Sequence, residues 1–278
     1  MRILITGSTG QLGRELIRVL EEEELFPLTH KDIDIRDPKV IQRIIELRPD
    51  TIIHTAAYTD VDECERHPES AFLINALGTR HVILGAEKVE ARVVYISTDY
   101  VFNGEKRVPY VESDDTCPIN VYGHSKLMGE DLVRACSVPW IIVRTAWVYG
   151  RGRKNFITNV LAWAENLSVL KLVGDKTGSP TYAKDLALAI RHLICVNASG
   201  TYHAACQGAC TWFEYGQQIL GILRIQKEVV PITFDELNRP AKRPAYSALS
   251  SDGLKQSGFE MRDWRAALED FLSTNFLR

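Results

Sequence analysis

Tyr122 and Lys126 lie four residues apart in Tyr122-Gly-His-Ser-Lys126, a stretch that reads as helix. That spacing puts phenol and ammonium on one helix face. A free tyrosine titrates near ~10, too high for ready proton exchange at neutral pH, and a nearby cation stabilises the phenolate and lowers that value. The pair could therefore act as a general acid. Taken alone, Y-x-x-x-K is equally met by a surface pair on an ordinary amphipathic helix, so its meaning depends on what else the chain carries.

The amino terminus carries a nucleotide-binding pattern. Arg2-Ile-Leu-Ile-Thr6 is a short apolar strand, followed by Gly7-Ser-Thr-Gly10-Gln11-Leu12-Gly13 and a helical run from Arg14 to Glu23. Glycines in such a strand–turn–helix allow a tight turn, close approach of a pyrophosphate and close helix packing. The phosphates would sit on the helix N-terminus. The spacing is G-x-x-G-x-x-G, not the G-x-G-x-x-G of simpler dehydrogenases.

Strands and helices then alternate. Leu25–Leu28 reads as an edge strand tolerant of Pro27, 37–47 as helix, Thr51–His54 as strand and 68–88 as one long helix. Arg92–Ser97 reads as strand, 120–136 as the helix bearing Tyr122, and Trp140–Arg144 as strand. Helices alternating with continuous apolar strands predict an α/β fold, a doubly wound parallel sheet of Rossmann type. Ligands of such sheets collect at the carboxyl ends of the strands. There stand Thr55-Ala-Ala57-Tyr58-Thr59, Ser97-Thr98-Asp99 and Thr145-Ala-Trp147. Thr98 could also be an ordinary turn cap, and Trp147 a core side chain rather than a platform for a sugar.

Composition narrows the classes. Among 278 residues 45% are hydrophobic, enough for a sizeable core, and the net charge of −3 offers no basic field for nucleic acid. No apolar run approaches the roughly 20 residues of a membrane span, and Met1 runs straight into the first strand, so a soluble, cytoplasmic chain is expected. The cysteines at 64, 117, 136, 195, 206 and 210 are scattered, and the Cys206/Cys210 spacing lacks a second ligand pair. Free buried thiols are expected there rather than zinc.

The chain resembles the extended short-chain dehydrogenase/reductase family, and within it the reductases of dTDP-4-dehydro-L-rhamnose. The resemblance covers nearly the whole chain. It rests on Thr6 to Gly13, Thr55 to Asp62, Asn75 to Thr79, Ser97-Thr-Asp-Tyr-Val-Phe102, Asn120 to Lys126, Arg144 to Gly150, Asn155-Phe156, Gly178 to Thr181 and Arg243 to Ser247. It implies NADPH-dependent reduction of the sugar's C4 ketone in nucleotide-sugar biosynthesis. Tyr122 would be the proton donor. Lys126 would hold the cofactor ribose and lower the tyrosine pKa, Thr98 would bond the carbonyl region, and Asn75 would support the lysine through water. Cofactor contacts would come from Gly7, Gly10, Gln11, Leu12, Gly13, Asp34, Ile35, Ala57, Tyr58 and Thr59, besides Tyr122 and Lys126. Substrate contacts would come from Thr98, Asp99 and Trp147. Some relatives use magnesium at a dimer contact, but no carboxylate cluster here obliges a metal, and none is expected. Oligomeric state stays open, a homodimer included.

NAD-preferring folds usually carry an acid at the end of the second strand. Here that stretch is Leu28-Thr-His30-Lys31. The basic pair suits a 2′-phosphate and favours NADPH, with NADH as the alternative. Residues 1–150, with 181–205 returning, are expected to form the dinucleotide-binding domain. Residues 151–180 and 206–278 are expected to form a smaller C-terminal substrate domain. Arg153, Lys154, Arg239, Lys242 and Arg243 are candidate cations for a diphosphate.

Two rivals share the fold. One is a nucleotide-sugar dehydratase or epimerase that recycles bound NAD; dehydratases typically follow the threonine with Asp-Glu, whereas this chain has Asp99-Tyr100. The other is a non-catalytic partner resembling the regulatory subunit of methionine adenosyltransferase.

Overall fold

Alternating faces of one parallel sheet organise the chain, as seen in a computed structural model that describes residues 1–276. The strands β1 (Arg2–Thr6), β2 (Glu24–Leu28), β3 (Thr51–His54), β4 (Arg92–Thr98) and β5 (Trp140–Thr145) are joined by Gly200–His203. Together they form a six-stranded sheet in the order 200–203, β5, β4, β3, β1, β2. All its pairings are parallel. The chain runs outward from β1 to β2 and then crosses back to β3, which leaves a switch point between β1 and β3. Pro27 sits on β2, the edge strand, where its missing N–H costs no ladder bond.

Period-two alternation divides the core. Ile3, Ile5, Ile53, Val94, Ile141 and Val143 enter one cluster, while Leu4, Ile52, Val93, Tyr95 and Ile142 enter the other. Helix α1 (Gln11–Val19) and the helix Ala183–Cys195 cover the first face. On the second lie α2 (Lys39–Leu47), α5 (Thr79–Val89) and α6 (Val121–Arg134), with the short α3 (Val61–Arg66) and α4 (Pro68–Phe72) near the upper end of α6. The region after 150 adds a two-stranded parallel sheet, Val169–Val173 with Glu228–Ile232, and the helices Phe156–Asn166, Trp212–Ile222 and Trp264–Asn275.

The single helix expected over 68–88 differs in one respect. Between α4 and α5 the backbone runs as a π-helical turn, Leu73–Gly78. Such wide turns are rare and concentrate at functional sites. Gly78 faces Ile35, whose side chain would meet a Cβ at 2.7 Å, so the turn packs tightly on the loop after β2.

A buried ion pair fastens α6 to the sheet. Glu130 is fully buried and Arg144, on β5, is 2% exposed. The Arg144 guanidinium donates to both Glu130 oxygens at 2.9 and 2.8 Å; Ser97 Oγ of β4 donates at 2.5 Å and Arg134 Nη2 at 2.5 Å. Burial opposes ionisation of Glu130, but these bonds, Arg144's foremost, hold its carboxyl below the ordinary value. His203, kept neutral by burial with a pKa lowered to about 3, faces Arg144 Nη1 through Nε2 at 3.4 Å.

Removing one member of such a pair leaves an uncompensated charge in the interior. Glu130→Ala is expected to lose about 3–5 kcal/mol of stability in urea unfolding. The double replacement Glu130→Leu with Arg144→Met should lose far less; equal losses would contradict this account.

Candidate active site

A cleft of about 1000 Å³ opens along the carboxyl ends of the strands. Its first part is the turn after β1. Gly7 has φ +68°, and a Cβ there would meet Ala56 N and Thr55 Oγ1 at 2.8 Å. At Gly13 a Cβ would lie 2.6 Å from the Gly7 carbonyl oxygen. Gly10 stands at the N-cap of α1, with no side-chain cap and no acid in the first turn. The first-turn N–H groups are therefore left to a ligand, and together with the helix dipole they suit a pyrophosphate. The cradle fits a dinucleotide.

Gly7, Gly10, Gln11, Leu12, Gly13, Asp34, Ile35, Ala57, Tyr58, Thr59, Thr98, Asp99, Tyr122, Lys126 and Trp147 all line this cleft. Several do so differently from the sequence expectation. Gln11 offers backbone only, because its side-chain oxygen accepts from Gly150 N at 2.7 Å and Asn155 Nδ2 at 3.0 Å. Asp34 lies beyond β2, clasped by Arg36, whose Nε and Nη2 donate to it at 2.9 and 2.5 Å. Those bonds draw the Asp34 carboxyl down to about 2. His30 and Arg36 face the cleft; Lys31 is exposed outside it.

Asn75 sits behind the cleft wall, 1% exposed, on the π-helical turn. Its Oδ1 accepts from Tyr58 N at 2.8 Å, while Nδ2 donates to Tyr58 O at 3.1 Å and to Ser125 Oγ at 2.9 Å. Ser125 Oγ in turn donates to the Tyr122 carbonyl at 2.8 Å. Asn75 thus ties the loop after β3 to the Tyr122 turn of α6 through Ser125.

The chemistry-bearing end is built by α6 and the end of β4. Asn120 caps α6 by accepting from Gly123 N at 2.8 Å. A Cβ on Gly123 would lie 2.1 Å from the Tyr100 carbonyl oxygen, so glycine lets the helix start against β4's exit. Thr98 both caps the turn and lines the cleft: its Oγ1 accepts from Tyr100 N at 3.2 Å and donates to Asp99 Oδ1 at 2.9 Å. Ser247 Oγ donates to Asp99 Oδ2 at 2.6 Å. Burial pushes Asp99 up to about 7, these bonds opposing it.

The expected lowering of the Tyr122 pKa by Lys126 is not what the structure holds. Burial raises the Tyr122 phenol above its ordinary value, and the Thr98 hydroxyl offsets only part of that. Lys126 is 2% exposed, with Nζ 4.0 Å from the centre of the Tyr95 ring. Burial lowers its own pKa to about 7 against the pull of Glu130. In this enclosure desolvation outweighs the charge effect.

Trp147 takes a left-handed φ of 44° and lies flat on Trp212, ring centres 3.5 Å apart. A Cβ on Gly178 would meet its indole at 2.5 Å. The aromatic wall is thus a stacked pair. Of the candidate diphosphate cations Arg153 lines the cleft, whereas Arg243 and Arg239 pair with Asp62 at 3.0 and 3.6 Å. Lys154 and Lys242 point to solvent.

Comparison with known proteins matches residues 1–276 to the RmlD substrate binding domain family. The chain belongs to that family. A solved structure of a dTDP-4-dehydrorhamnose reductase from Clostridium acetobutylicum superposes with a TM-score of 0.96 at 38% identity, covering 99% of both chains. One from Bacillus anthracis, in complex with NADP, gives 0.95 at 39% identity, again over 99% of both. The spore coat polysaccharide biosynthesis protein SpsK of Bacillus subtilis is 39% identical over 274 residues, 98% of this chain and 96% of that protein.

Sequence reasoning missed Trp212 and Arg36, and it placed Thr145 at a strand end and Tyr100 and Ser247 within motifs without giving them a role. Arg36 stands two residues from Asp34 and was within reach of the motif reading. Trp212 and Ser247 reach the site through tertiary packing alone. Cys206 and Cys210 are free and buried, as expected. No helix among the described residues is long and apolar enough to cross a membrane.

Asp99 and Lys126 leave opposite signatures in stability. Raised from an ordinary 3.8 to about 7, Asp99 contributes stability below ~4 that is lost as pH rises through ~7. Lys126, lowered from 10.5 to about 7, contributes stability that returns as pH rises from ~7 toward ~10.5. Asp99→Asn should therefore flatten the fall in melting temperature between pH 5 and 7 without altering the rise above 7. Parallel wild-type and variant curves across pH 5–7 would refute the assignment.

Proposed function

We propose that this chain is an NADPH-dependent reductase that converts the C4 ketone of dTDP-4-dehydro-L-rhamnose to the alcohol of dTDP-L-rhamnose. The observation that carries this reading is the meeting of Tyr122, Thr98 and Lys126 at the end of β4, in the cleft that begins at the uncapped helix behind Gly7–Gly13. Full-length likeness to dTDP-4-dehydrorhamnose reductases supports the substrate class. Likeness to the NADP complex, with His30 and Arg36 lining the cleft beyond β2, supports the cofactor.

When bound, the dinucleotide supplies the hydride. The chain's own residues supply orientation and the proton. As the carbonyl carbon gains the hydride, its π electrons move onto oxygen, and Tyr122 Oη gives up its proton to that oxygen. Burial keeps the phenol protonated at neutral pH, the form an acid must have before the step. An alkoxide is a far stronger base than any phenolate, so the raised pKa does not prevent transfer. Lys126, one turn along the same face, then stabilises the phenolate that remains, joined by Thr98 Oγ1 once its proton turns from Asp99 to the phenol oxygen. The stacked Trp147 and Trp212 rings offer an apolar wall to the deoxy-sugar.

The reading is tested by following NADPH oxidation optically with enzymatically generated dTDP-4-dehydro-L-rhamnose. Tyr122→Phe should lower kcat by about 10²–10⁴-fold while leaving NADPH binding in place. Absence of turnover by the wild type with either NADPH or NADH, despite cofactor binding, would reject it in favour of the partner-protein reading. The 2′-phosphate is tested separately: Arg36→Ala should raise KM for NADPH about tenfold and leave KM for NADH within about twofold, because only the phosphate meets a charge-assisted bond. An equal effect on both cofactors would assign Arg36 to holding Asp34.

A further inference from the structure

Lys126 lies in an enclosure that works against its charge, and one neighbouring side chain answers it. On α6 itself stand Tyr122, a protonated phenol, and Glu130. Glu130 favours the charged lysine, but its oxygens are already taken by Arg144 of β5, by Arg134 and by Ser97. Asp99, past the end of β4, acts on Tyr122. From β3 comes His54, held neutral at about 3 by burial and by the lysine's own charge. The π-helical turn contributes Asn75, whose amide is committed to Tyr58 and Ser125. From β4 comes Tyr95, and the lysine Nζ lies over its ring, 4.0 Å from the centre.

The ring is firmly placed. Tyr95 is fully buried, and its hydroxyl donates to the Lys126 carbonyl at 3.2 Å, with the Asn75 carbonyl at 3.5 Å. Gly129 leaves room for that hydroxyl, since a Cβ there would meet it at 2.1 Å. One tyrosine thus holds the lysine at both ends, the backbone through its hydroxyl and the ammonium through its ring face. An aromatic face is negative, and it attracts a cation most strongly where water is excluded. Burial lowers the Lys126 pKa to about 7, and the ring acts in the opposite sense. We propose that the Tyr95 ring is the seat of the Lys126 ammonium, a positioning residue that holds the cation one helical turn from the Tyr122 phenol. Tyr95 acts through the lysine alone. The inference rests on the reading of Lys126 as the cation that stabilises the Tyr122 phenolate.

The experiment replaces Tyr95 by phenylalanine and by phenylalanines bearing one, two and three ring fluorines. Fluorine withdraws the negative face at nearly constant ring size, so the packing is kept. Lys126 is titrated by NMR through its Cε resonance in the unliganded protein, assigned by its absence in Lys126→Arg. An attraction for the ammonium raises the lysine pKa, so weakening it must lower the titration midpoint. Tyr95→Phe keeps the face and should titrate close to wild type. Each fluorine should lower the midpoint further, reaching about 0.5–1.5 pH units with three. The alkaline limb of kcat for NADPH-dependent reduction should move down in step. A midpoint independent of fluorine number would overturn the seat. So would a full drop from tyrosine to phenylalanine with none thereafter, which would assign the effect to the hydroxyl. A midpoint that falls with fluorine number in a protein showing no turnover with NADPH would uphold the seat and overturn the reductase reading.

Discussion

The carboxylate of Glu130 is the constraint on which the site depends. A fully buried charge is tolerated only when its oxygens are satisfied, and here the donors come from Ser97 on β4, Arg144 on β5 and Arg134 on α6 itself. Those partners fix both the distance and the rotation of α6 on the sheet. Because Tyr122, Lys126 and Glu130 follow at four-residue intervals along one helix face, anchoring the third orients the other two. The phenol is thereby held at the exit of β4, beside Thr98. Glycines 123 and 129 permit the approach: at Gly129 a Cβ would stand 2.1 Å from the Tyr95 hydroxyl.

A second tie joins this helix to the cofactor side. The π-helical turn at 73–78 swings Asn75 so that one amide holds the backbone of Tyr58, after β3, and the hydroxyl of Ser125 on α6. His54, kept neutral by burial with a pKa near 3, bridges Thr6 at the end of β1 and Thr79 at the start of α5 at 2.7 and 3.1 Å. The glycine turn, the loop after β3 and the helix bearing Tyr122 are thus coupled by buried, neutral hydrogen bonds. Such networks keep reacting groups in register. They also explain why Asn75 lies outside the cleft it shapes.

Desolvation dominates the electrostatics of the pocket. It raises Tyr122 and Asp99 and lowers Lys126. The expectation that the lysine would lower the tyrosine pKa considered the charge and not the enclosure, and the Nζ lies against Tyr95 instead. Burial thereby brings an acid, Asp99, and a base, Lys126, both to about 7. Proton-transfer sites are commonly arranged in this way.

The sequence by itself determined the parallel sheet, the glycine turn and the helix bearing Tyr122 and Lys126. These follow from local properties: apolar runs of strand length, glycine where φ must be positive, and four-residue spacing on a helix. The edge position of the Pro27 strand was legible for the same reason, since proline's missing donor is a property of the residue alone. Tertiary structure alone decided the rest. Trp212 joins Trp147, Ser247 reaches Asp99, and Arg239 and Arg243 turn from the cleft to Asp62, because chain segments distant in sequence pack there. The π-helical turn and the protonation states also lay beyond the sequence, since one requires packing against Ile35 and the others require burial. Residue type and spacing set what chemistry the chain can attempt; solvent exclusion and long-range packing set which groups perform it and in what ionic form.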